Sequence, residues 1–301
     1  MLSVFGSVAL DTTRTPFRTE ARVLGGAATY ASLSACHFVE TSLIGVVGSD
    51  FPAEYRNILQ TKLDMRGLVT KEGNTFHYDS SFDYDLSHRT TNKTELNVAA
   101  NFDAVLPSSY PKPKHLYLAN NDPVQNVRLL SNFVSPMMTM CDTMEYWIRN
   151  KRDQVINMMS SVNGVVVNDE EARLLCGTSN LVKCAKIILS FGTRFIIIKK
   201  GEHGSIFVLD DTIFPTPGYP LEEVVDPTGA GDSFAGGFLG YIAERNMMDI
   251  DTMKEAVVYG NVMGSFAVED FGVKKLLSIT REDIELRYKK YLDFVRVRTN
   301  V

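Results

Sequence analysis

The stretch from Asp226 to Asp232 carries the residue types of an anion-binding turn followed by a base. Its sequence is D-P-T-G-A-G-D, and an apolar helix pattern follows directly. Gly229 and Gly231 permit backbone conformations that a Cβ would forbid, and together with Ala230 they leave N–H groups at a helix start, where the helix dipole favours negative charge. A carboxylate there would repel a phosphate unless it takes up a proton. The stretch therefore indicates phosphoryl transfer with Asp232 as the base. A glycine-rich connection with a capping aspartate is the alternative.

Short apolar runs that alternate with helical patterns predict the scaffold around this turn. Leu2 to Leu10 and residues 43–48 are predicted to be buried strands, each followed by a helix, and the same rhythm returns further along the chain. Such alternation favours an α/β fold with a central, mostly parallel sheet flanked by helices. Residues 205–214 predict a hairpin and residues 281–295 a final helix. Because no linker is visible, residues 1–301 are predicted to form a single domain.

Residues 75–98 depart from that rhythm. Between residues 76 and 84, aromatic and polar residues alternate, which predicts a strand with one aromatic face and one wet face. The threonine-rich run 89–98 could pair with it. A β insertion in an α/β chain suggests a small β lid, formed by about 11–24 and 72–98. A plain hairpin at the edge of the main sheet is the alternative.

Polar residues recur where the predicted strands end, and ligands of open α/β sheets bind outside those carboxyl ends. The positions are Asp11, Asp142, Asn168 to Glu171, Gly201 to Gly204 and the turn 226–232. Asp11, placed at the end of the first strand, could accept hydrogen bonds from two neighbouring hydroxyl groups. Asn168 could equally cap a helix. Gly25 and Gly26 make either a flexible joint or a simple tight turn.

The composition of the chain indicates which partners and which cellular location to expect. The 301-residue chain has a net charge of −5 and no basic run, so nucleic acid is not expected as a partner. Its four cysteines lie scattered in apolar surroundings, which predicts buried free thiols rather than a metal site. The amino-terminal residues lack the pattern of a signal peptide, and no apolar stretch approaches bilayer length. We therefore expect a cytoplasmic protein without a membrane partner.

The turn at 226–232 resembles the second signature of the ribokinase-like (PfkB) sugar and nucleoside kinases, roughly D-T-x-G-A-G-D. It matches at Asp226 and from Thr228 to Asp232, with Pro-Thr in place of Thr-x. In that family the glycine turn is the anion hole, and the last aspartate deprotonates the acceptor hydroxyl. The resemblance implies a ribokinase-like fold, ATP and Mg²⁺ as cofactors, and catalytic roles for Gly229, Ala230, Gly231 and Asp232.

Two further matches imply roles around the acceptor. Gly25 and Gly26 match a di-glycine that lets the lid close, but Tyr30 replaces the asparagine that helps to bind sugar hydroxyls, which puts ribose in doubt as the substrate. Asp11 corresponds to the family's substrate-hydroxyl aspartate.

Asn168 and Glu171 fit N-x-x-E, which organises Mg²⁺ near the phosphates. Lys199 stands at the threonine position of the nucleotide loop T-x-G-x-x-G, which Gly201 and Gly204 complete. The lysine could contact phosphate or be a solvated surface residue. Thr228, and Asn261 on a small-residue helix where the family's adenine pocket lies, are implied nucleotide contacts.

Asp142 opens a segment, D-T-M-E-Y-W-I, that resembles D-T-M-N-x-W-I in a bacterial branch of the family, with Glu145 in place of asparagine. The resemblance implies that Asp142 faces the substrate.

Together these features predict an ATP-dependent kinase that phosphorylates a hydroxymethyl group of a sugar or sugar-like molecule. A nucleoside kinase is the alternative, because the aromatic residues of 76–84 could stack on a nucleobase. A non-catalytic nucleotide or sugar sensor is disfavoured, because such a protein would lack catalytic residues and every motif residue named above for catalysis is present. A Rossmann-type dehydrogenase is excluded because no G-x-G-x-x-G follows the first strand. The resemblance also allows a homodimer through the lid, although some members of the family are monomers.

Overall fold

The computed structural model describes residues 1–100 and 102–296, and within them nine strands form one large sheet. In spatial order they are β13 (Thr212–Thr216), β12 (Ser205–Leu209), β11 (Phe195–Lys199), β10 (Gly164–Asn168), β9 (Met138–Cys141), β8 (His115–Leu118), β1 (Leu2–Phe5), β4 (Thr41–Gly48) and β5 (Asp64–Lys71). Neighbours from β11 to β5 run parallel, and β12 and β13 add an antiparallel hairpin at one edge.

Helices cover both faces of this sheet. In chain order the α-helices of the described residues are α1 (Ala27–Ala35), α2 (Ala53–Gln60), α3 (Pro123–Leu130), α4 (Glu145–Asn150), α5 (Arg152–Ser160), α6 (Asp169–Cys176), α7 (Leu181–Leu189), α8 (Ala230–Arg245), α9 (Ile250–Ala267), α10 (Lys274–Ser278) and α11 (Arg281–Val295). One apolar layer joins α1, α8, α9 and α11 to the sheet, and the other joins α3 to α7. Strands covered on both faces need continuous apolar runs, and Phe195 to Ile198 is one.

A second, four-stranded sheet has the order β3 (Thr19–Gly25), β2 (Ala9–Arg14), β6 (His77–Phe82) and β7 (Arg89–Glu95). β2 pairs with β3 and β6 with β7 in antiparallel fashion, whereas β2 and β6 run parallel. Since β6 pairs with β2, and β7 pairs only with β6, neither strand joins the main sheet, and the alternative of an edge hairpin on that sheet is wrong. The segments that build the second sheet overlap the lid predicted at 11–24 and 72–98. Its action as a lid, and a single domain, stay predictions.

One strand prediction is wrong. Leu2 to Leu10 does not form one strand that ends at Asp11, because β1 stops at Phe5 and the chain crosses through Gly6 into β2 of the other sheet. Asp11 therefore lies inside a strand of the second sheet. Both short strands are buried, so a continuous apolar run could not reveal where one ends and the next begins.

Other predictions from the sequence are confirmed. The hairpin at 205–214 forms as β12 and β13, and the final helix spans Arg281–Val295 as predicted. The cysteines are free, with Cys141 and Cys184 buried and Cys36 and Cys176 half-buried. In the part of the chain that the structure describes, each helix is too short or too polar to cross a bilayer.

Candidate active site

The carboxyl edge of the main sheet brings together side chains from several elements. Asp142 follows β9 directly, Asn168 ends β10, and Lys199 ends β11. The N-terminus of α8 arrives at the same place, because a Cβ added to Gly231 would lie 2.8 Å from the Lys199 Nζ. The sheet topology thus assembles residues as distant in the chain as Asp142 and Gly231.

The glycine turn caps α8. Gly229 is its N-cap, with φ of 79° in the left-handed region that favours glycine. A Cβ at Gly229 would also overlap the ring of Tyr30, which is 1% exposed and supports the turn from below. The Ala230 N–H donates to the Pro227 carbonyl at 3.3 Å, and the Ser233 N–H donates to the Gly229 carbonyl at 2.8 Å. Helix geometry therefore leaves the N–H groups of Gly231 and Asp232 as the ones without intrahelical partners. With the helix dipole they make this turn fit to hold an anion.

Asp232 lies in the first turn of α8, half-buried. Burial, and then the charge of Asp142, raise its pKa to about 7, while Lys199 works to lower it. A carboxylate with a pKa near neutrality can both accept and release a proton at physiological pH, which suits a general base.

Lys199 is not a solvated surface lysine. Its Nζ lies 2.9 Å from the Asp142 Oδ2, and the two side chains are 14% and 5% exposed. Although burial works to lower it, the carboxylates of Asp142 and Glu171 raise the pKa of Lys199. The ammonium group is therefore charged and held beside the glycine turn.

Asp142 was predicted to contact substrate, but both of its carboxylate oxygens have partners within the protein. Oδ2 also accepts a hydrogen bond from the Tyr117 hydroxyl at 3.3 Å, and Oδ1 accepts one from the Thr143 N–H at 2.7 Å. The side chain is buried. Its geometry is that of a residue that positions Lys199.

Asn168 and Glu171 form a reciprocal cap at the start of α6. The Asn168 Oδ1 accepts from the Glu171 N–H at 2.7 Å, and the Glu171 Oε2 accepts from the Asn168 N–H at 2.8 Å. The helix-cap interpretation of N-x-x-E is thus confirmed. Glu171 is nevertheless buried, and burial followed by the charge of Asp142 raises its pKa to about 8. A cation near this carboxylate would favour its ionised form.

Asp11 faces the same region from the second sheet. Its Oδ2 accepts a hydrogen bond from the Gly26 N–H at 3.2 Å, and a Cβ at Gly25 would overlap the carboxylate. Its Oδ1 is buried and has no partner among the described residues. Burial raises the pKa of Asp11 to about 7, with smaller contributions from the carboxylates of Asp226 and Asp232. The free oxygen is available to a ligand hydroxyl.

Four of the predicted nucleotide residues lie at three different places. A Cβ at Gly204 would overlap the Thr216 carbonyl, and the Asn261 Nδ2 donates to the Thr216 Oγ1 at 3.1 Å, so both residues meet at the end of β13. Gly201 instead starts an exposed 3₁₀ turn, Gly201–His203, with open space around it. Thr228 lies in the glycine turn, where its N–H donates to the Asp226 Oδ1 at 2.9 Å.

Two side chains at this site escaped the sequence reasoning. The Thr143 hydroxyl is buried without a partner in the described part of the chain. Arg89, on β7, lowers the pKa values of both Asp11 and Asp232, against the effect of burial. The only sequence signal for Arg89 was its place at the start of the threonine-rich strand.

Residues 4–279 match the sequence profile of the family described as pfkB family carbohydrate kinase. The chain belongs to this family. A cytidine kinase from Thermococcus kodakarensis is 31% identical to this kinase over 252 residues, which are 81% of the chain and 89% of the relative. A nucleoside kinase from Methanothermobacter thermautotrophicus is 27% identical over 286 residues, with coverage of 91% and 87%.

Solved structures share the fold of this kinase. The nucleoside kinase of Burkholderia thailandensis in complex with ADP-inosine has a TM-score of 0.79 at 17% identity, covering 100% of the chain and 99% of the other. The ribokinase of Thermotoga maritima has a TM-score of 0.76 at 18% identity, with coverage of 96% and 99%. The predicted ribokinase-like fold is confirmed. As a family member, the protein is a phosphotransferase with an alcohol group as acceptor, and ATP is the phosphate donor expected for the family.

Proposed function

We propose that this kinase transfers the γ-phosphoryl group of ATP to a hydroxymethyl group, with Asp232 as the base. The observation that carries the proposal is the meeting of Asp232 and Lys199 at the glycine turn that starts α8. The turn offers N–H groups and a positive dipole end to the phosphoryl oxygens, and the Lys199 ammonium adds a charge. Gly229, Ala230 and Gly231 form the anion hole in this proposal.

The proposed step is a displacement at phosphorus. Asp232 takes the proton of the acceptor hydroxyl, the acceptor oxygen forms a bond to the γ-phosphorus, and the bond from that phosphorus to the β–γ bridging oxygen breaks, which releases ADP. Asp11 holds neighbouring hydroxyls of the acceptor with its unpartnered Oδ1. Rate acceleration comes mainly from alignment and from charge stabilisation.

Mg²⁺ fits this site as an ion that arrives with the nucleotide. Within residues 1–100 and 102–296 there is no cluster of three or more metal-ligating side chains. The charge of Asp142 acts both on the buried carboxylate of Glu171 and on Asp232, and a divalent cation would offset this excess of negative charge. Mg²⁺ keeps most of its waters and needs few protein carboxylates. Glu171, with Asn168 behind it, would hold such waters, and the bound ion would neutralise phosphate oxygens.

The second sheet acts as a lid in this proposal. The Thr13 Oγ1 lies 3.4 Å from the Thr228 Oγ1, so one face of the sheet already touches the glycine turn. Gly25 and Gly26 join the sheet to α1 and would act as the hinge. Closure would exclude water and so limit hydrolysis of ATP.

The face of the lid that points away from the glycine turn, its outer face, is one surface through which the predicted homodimer could form. Its polar groups are already paired with one another: Arg14 with Asp79, and His77 with both Thr12 and Glu95. A face of this kind is suited to water, and we infer that the kinase does not use it as an apolar dimer interface.

We propose a nucleoside as the acceptor, through the hydroxymethyl group of its ribose. The named activities of the two relatives above, a cytidine kinase and a nucleoside kinase, support this choice. A free sugar is the second candidate, supported by the family described as carbohydrate kinases. Tyr30 is consistent with the first, because it is buried under the turn and offers no amide to a free ribose.

A panel of acceptors tests both candidates. Purified protein is incubated with ATP, Mg²⁺ and each of the common nucleosides and free sugars, and ADP release is followed with a coupled enzyme. We expect the highest kcat/KM with a nucleoside. Turnover of a free sugar alone would refute the nucleoside proposal, and no turnover above ATP hydrolysis with any acceptor would refute the proposed function.

A further inference from the structure

The last helix of the described chain, α11, lies outside the part that the family profile matches. The profile ends at residue 279, and the helix spans Arg281–Val295. A capping box at Thr280 begins it, and Ile284 and Tyr291 are its most deeply buried side chains, with exposures of 0% and 1%. The family match therefore assigns no role to a helix that is packed firmly onto the rest of the kinase.

Three side chains of α11 contact the segment that follows β13. The Tyr291 hydroxyl donates a hydrogen bond to the Pro217 carbonyl at 2.7 Å. The Phe294 and Tyr219 rings meet edge to face with their centres 5.5 Å apart, and the Arg287 guanidinium carbon lies 5.0 Å from the centre of the Tyr219 ring. The hydrogen bond is the most directional of these contacts, so Tyr291 fixes the backbone at Pro217.

The segment held in this way, residues 217–219, packs against the turn between β11 and β12. A Cβ added to Gly218 would lie 2.2 Å from the Glu202 carbonyl oxygen, and one added to Gly204 would lie 2.4 Å from the Pro217 carbonyl carbon. Backbones packed this closely cannot move independently of each other. A shift at Pro217 would therefore displace the turn that ends at Gly204.

Both segments border the side of the site from which ATP must approach. Lys199 stands opposite Ser205 on β12, and Ser205 stands opposite Thr216 on β13. The row thus runs from the proposed phosphate contact to the start of residues 217–219, over two strand spacings or about 10 Å.

The geometry of the displacement fixes this side. The attacking and leaving oxygens lie roughly in line, on opposite sides of the phosphorus. Asp11, which holds the acceptor, lies on β2, which follows β1 closely in the chain, whereas β12 and β13 lie on the other side of β11 in the main sheet. ADP therefore leaves toward the ends of β11 and β13, where residues 217–219 lie.

We propose that Tyr291 is a positioning residue for the donor nucleotide, and that α11 through its bond to Pro217 sets the affinity of the kinase for ATP and ADP. This inference rests on the proposed function, which brings ATP to Lys199. Without the bond, residues 217–219 would sample other positions in the free enzyme, and the nucleotide would have to order them when it binds. The cost of that ordering weakens binding and leaves the chemical step unchanged.

Kinetics and nucleotide binding of Tyr291→Phe test the proposal, because this substitution removes only the hydroxyl group. We expect KM for ATP, and Kd for ADP measured by titration calorimetry, to rise about fivefold, as for the loss of one hydrogen bond. The kcat and the KM for the acceptor should stay within about twofold of wild type. Phe294→Ala, at a position that is 59% exposed and so tolerates substitution, should raise the two nucleotide constants by about twofold.

Tyr259→Phe is the matched control. The Tyr259 hydroxyl donates to the Glu285 Oε2 at 3.0 Å, so the substitution removes a tyrosine hydrogen bond that holds α11 to α9 instead of to residues 217–219. It should lower the melting temperature about as much as Tyr291→Phe does, but leave both nucleotide constants at their wild-type values. Wild-type nucleotide constants in Tyr291→Phe would overturn the inference. Equal weakening in Tyr259→Phe would also overturn it, because the effect would then be a general loss of helix packing.

ADP binding separates a failure of this inference from a failure of the proposed function. A wild-type protein that binds ADP but transfers no phosphoryl group to any acceptor would refute the proposed function, and the comparison of Kd values would still decide the role of Tyr291. A wild-type protein that does not bind ADP would refute both.

Discussion

Asp142→Asn removes the buried carboxylate that holds Lys199. The pair is 2.9 Å long and its side chains are 14% and 5% exposed, and loss of one partner of such a pair costs about 3–5 kcal/mol because a charge is left buried. The carboxylates of Glu171 and Asp232 remain near the ammonium. We therefore expect the low end, about 3 kcal/mol of unfolding free energy, measured by urea denaturation.

The same substitution has a signature in the pH dependence of catalysis. Asp142 is one of the groups that raise the pKa of Asp232 to about 7. A base must be ionised to act, so activity is lost as the pH falls through that value. Without the neighbouring negative charge the pKa of Asp232 falls, and the acidic limb of kcat/KM should move to lower pH. Asp122→Asn is the control, because Asp122 pairs with Lys151 at 2.6 Å elsewhere, and it should cost stability without moving the limb.

A double-mutant cycle decides whether Asp142 acts through Lys199. In a Lys199→Met background no ammonium needs a partner, so Asp142→Asn should cost much less than it does alone. The coupling energy should reach about 2 kcal/mol, within the range for residues in contact. Additive losses, together with an unmoved pH limb, would show that the pair does not position Lys199 for the reaction.

Three further predictions concern single side chains. Burial lowers the pKa of His115 to about 4 from an ordinary 6.5. The free energy of unfolding should therefore fall by about 3 kcal/mol as the pH drops from 6.5 to about 4. In His115→Gln, urea denaturation should show a smaller change in unfolding free energy over the same pH range. Gly229→Ala should cost about 3 kcal/mol, because the residue has a left-handed φ and its Cβ would overlap Tyr30; a melting temperature equal to wild type would contradict this. Gly231→Ala should lower the free energy of unfolding by less than about 1 kcal/mol. It should lower kcat about 10²-fold, because the methyl group would displace the Lys199 ammonium. A wild-type kcat would contradict the role of the glycine turn and Lys199 in binding the phosphoryl group.

The sequence could predict the parts of the fold that depend on local pattern. The helix at Arg281–Val295 has a capping box at Thr280 and an apolar stripe, and the hairpin of β12 and β13 turns at two adjacent aspartates, so both are visible in a short window. The crossing from β1 to β2 is not, because it depends on which sheet each short strand joins. That choice is made by contacts distant in the chain.

In the candidate site, too, the features that depend on local sequence could be predicted, and those that depend on distant contacts could not. The residues at the glycine turn are contiguous, and their types alone indicate an anion site next to a base. The partner of Lys199, in contrast, lies 57 positions away in the chain, so the sequence left open whether the lysine is solvated or bound. Arg89 was missed for a related reason: the face on which it lies depends on the irregular register between Asp79 and Ser80, which period-two counting does not reveal.

The most direct test of the central claim is the rate of ADP release by Asp232→Asn with the best acceptor. The matched control is Asp251→Asn, since Asp251 also lies in the first turn of a helix but is exposed to solvent. We predict a loss of at least about 10²-fold in kcat for Asp232→Asn with nucleotide binding intact, and wild-type rates for Asp251→Asn. Turnover by Asp232→Asn within tenfold of wild type would contradict the assignment of Asp232 as the base.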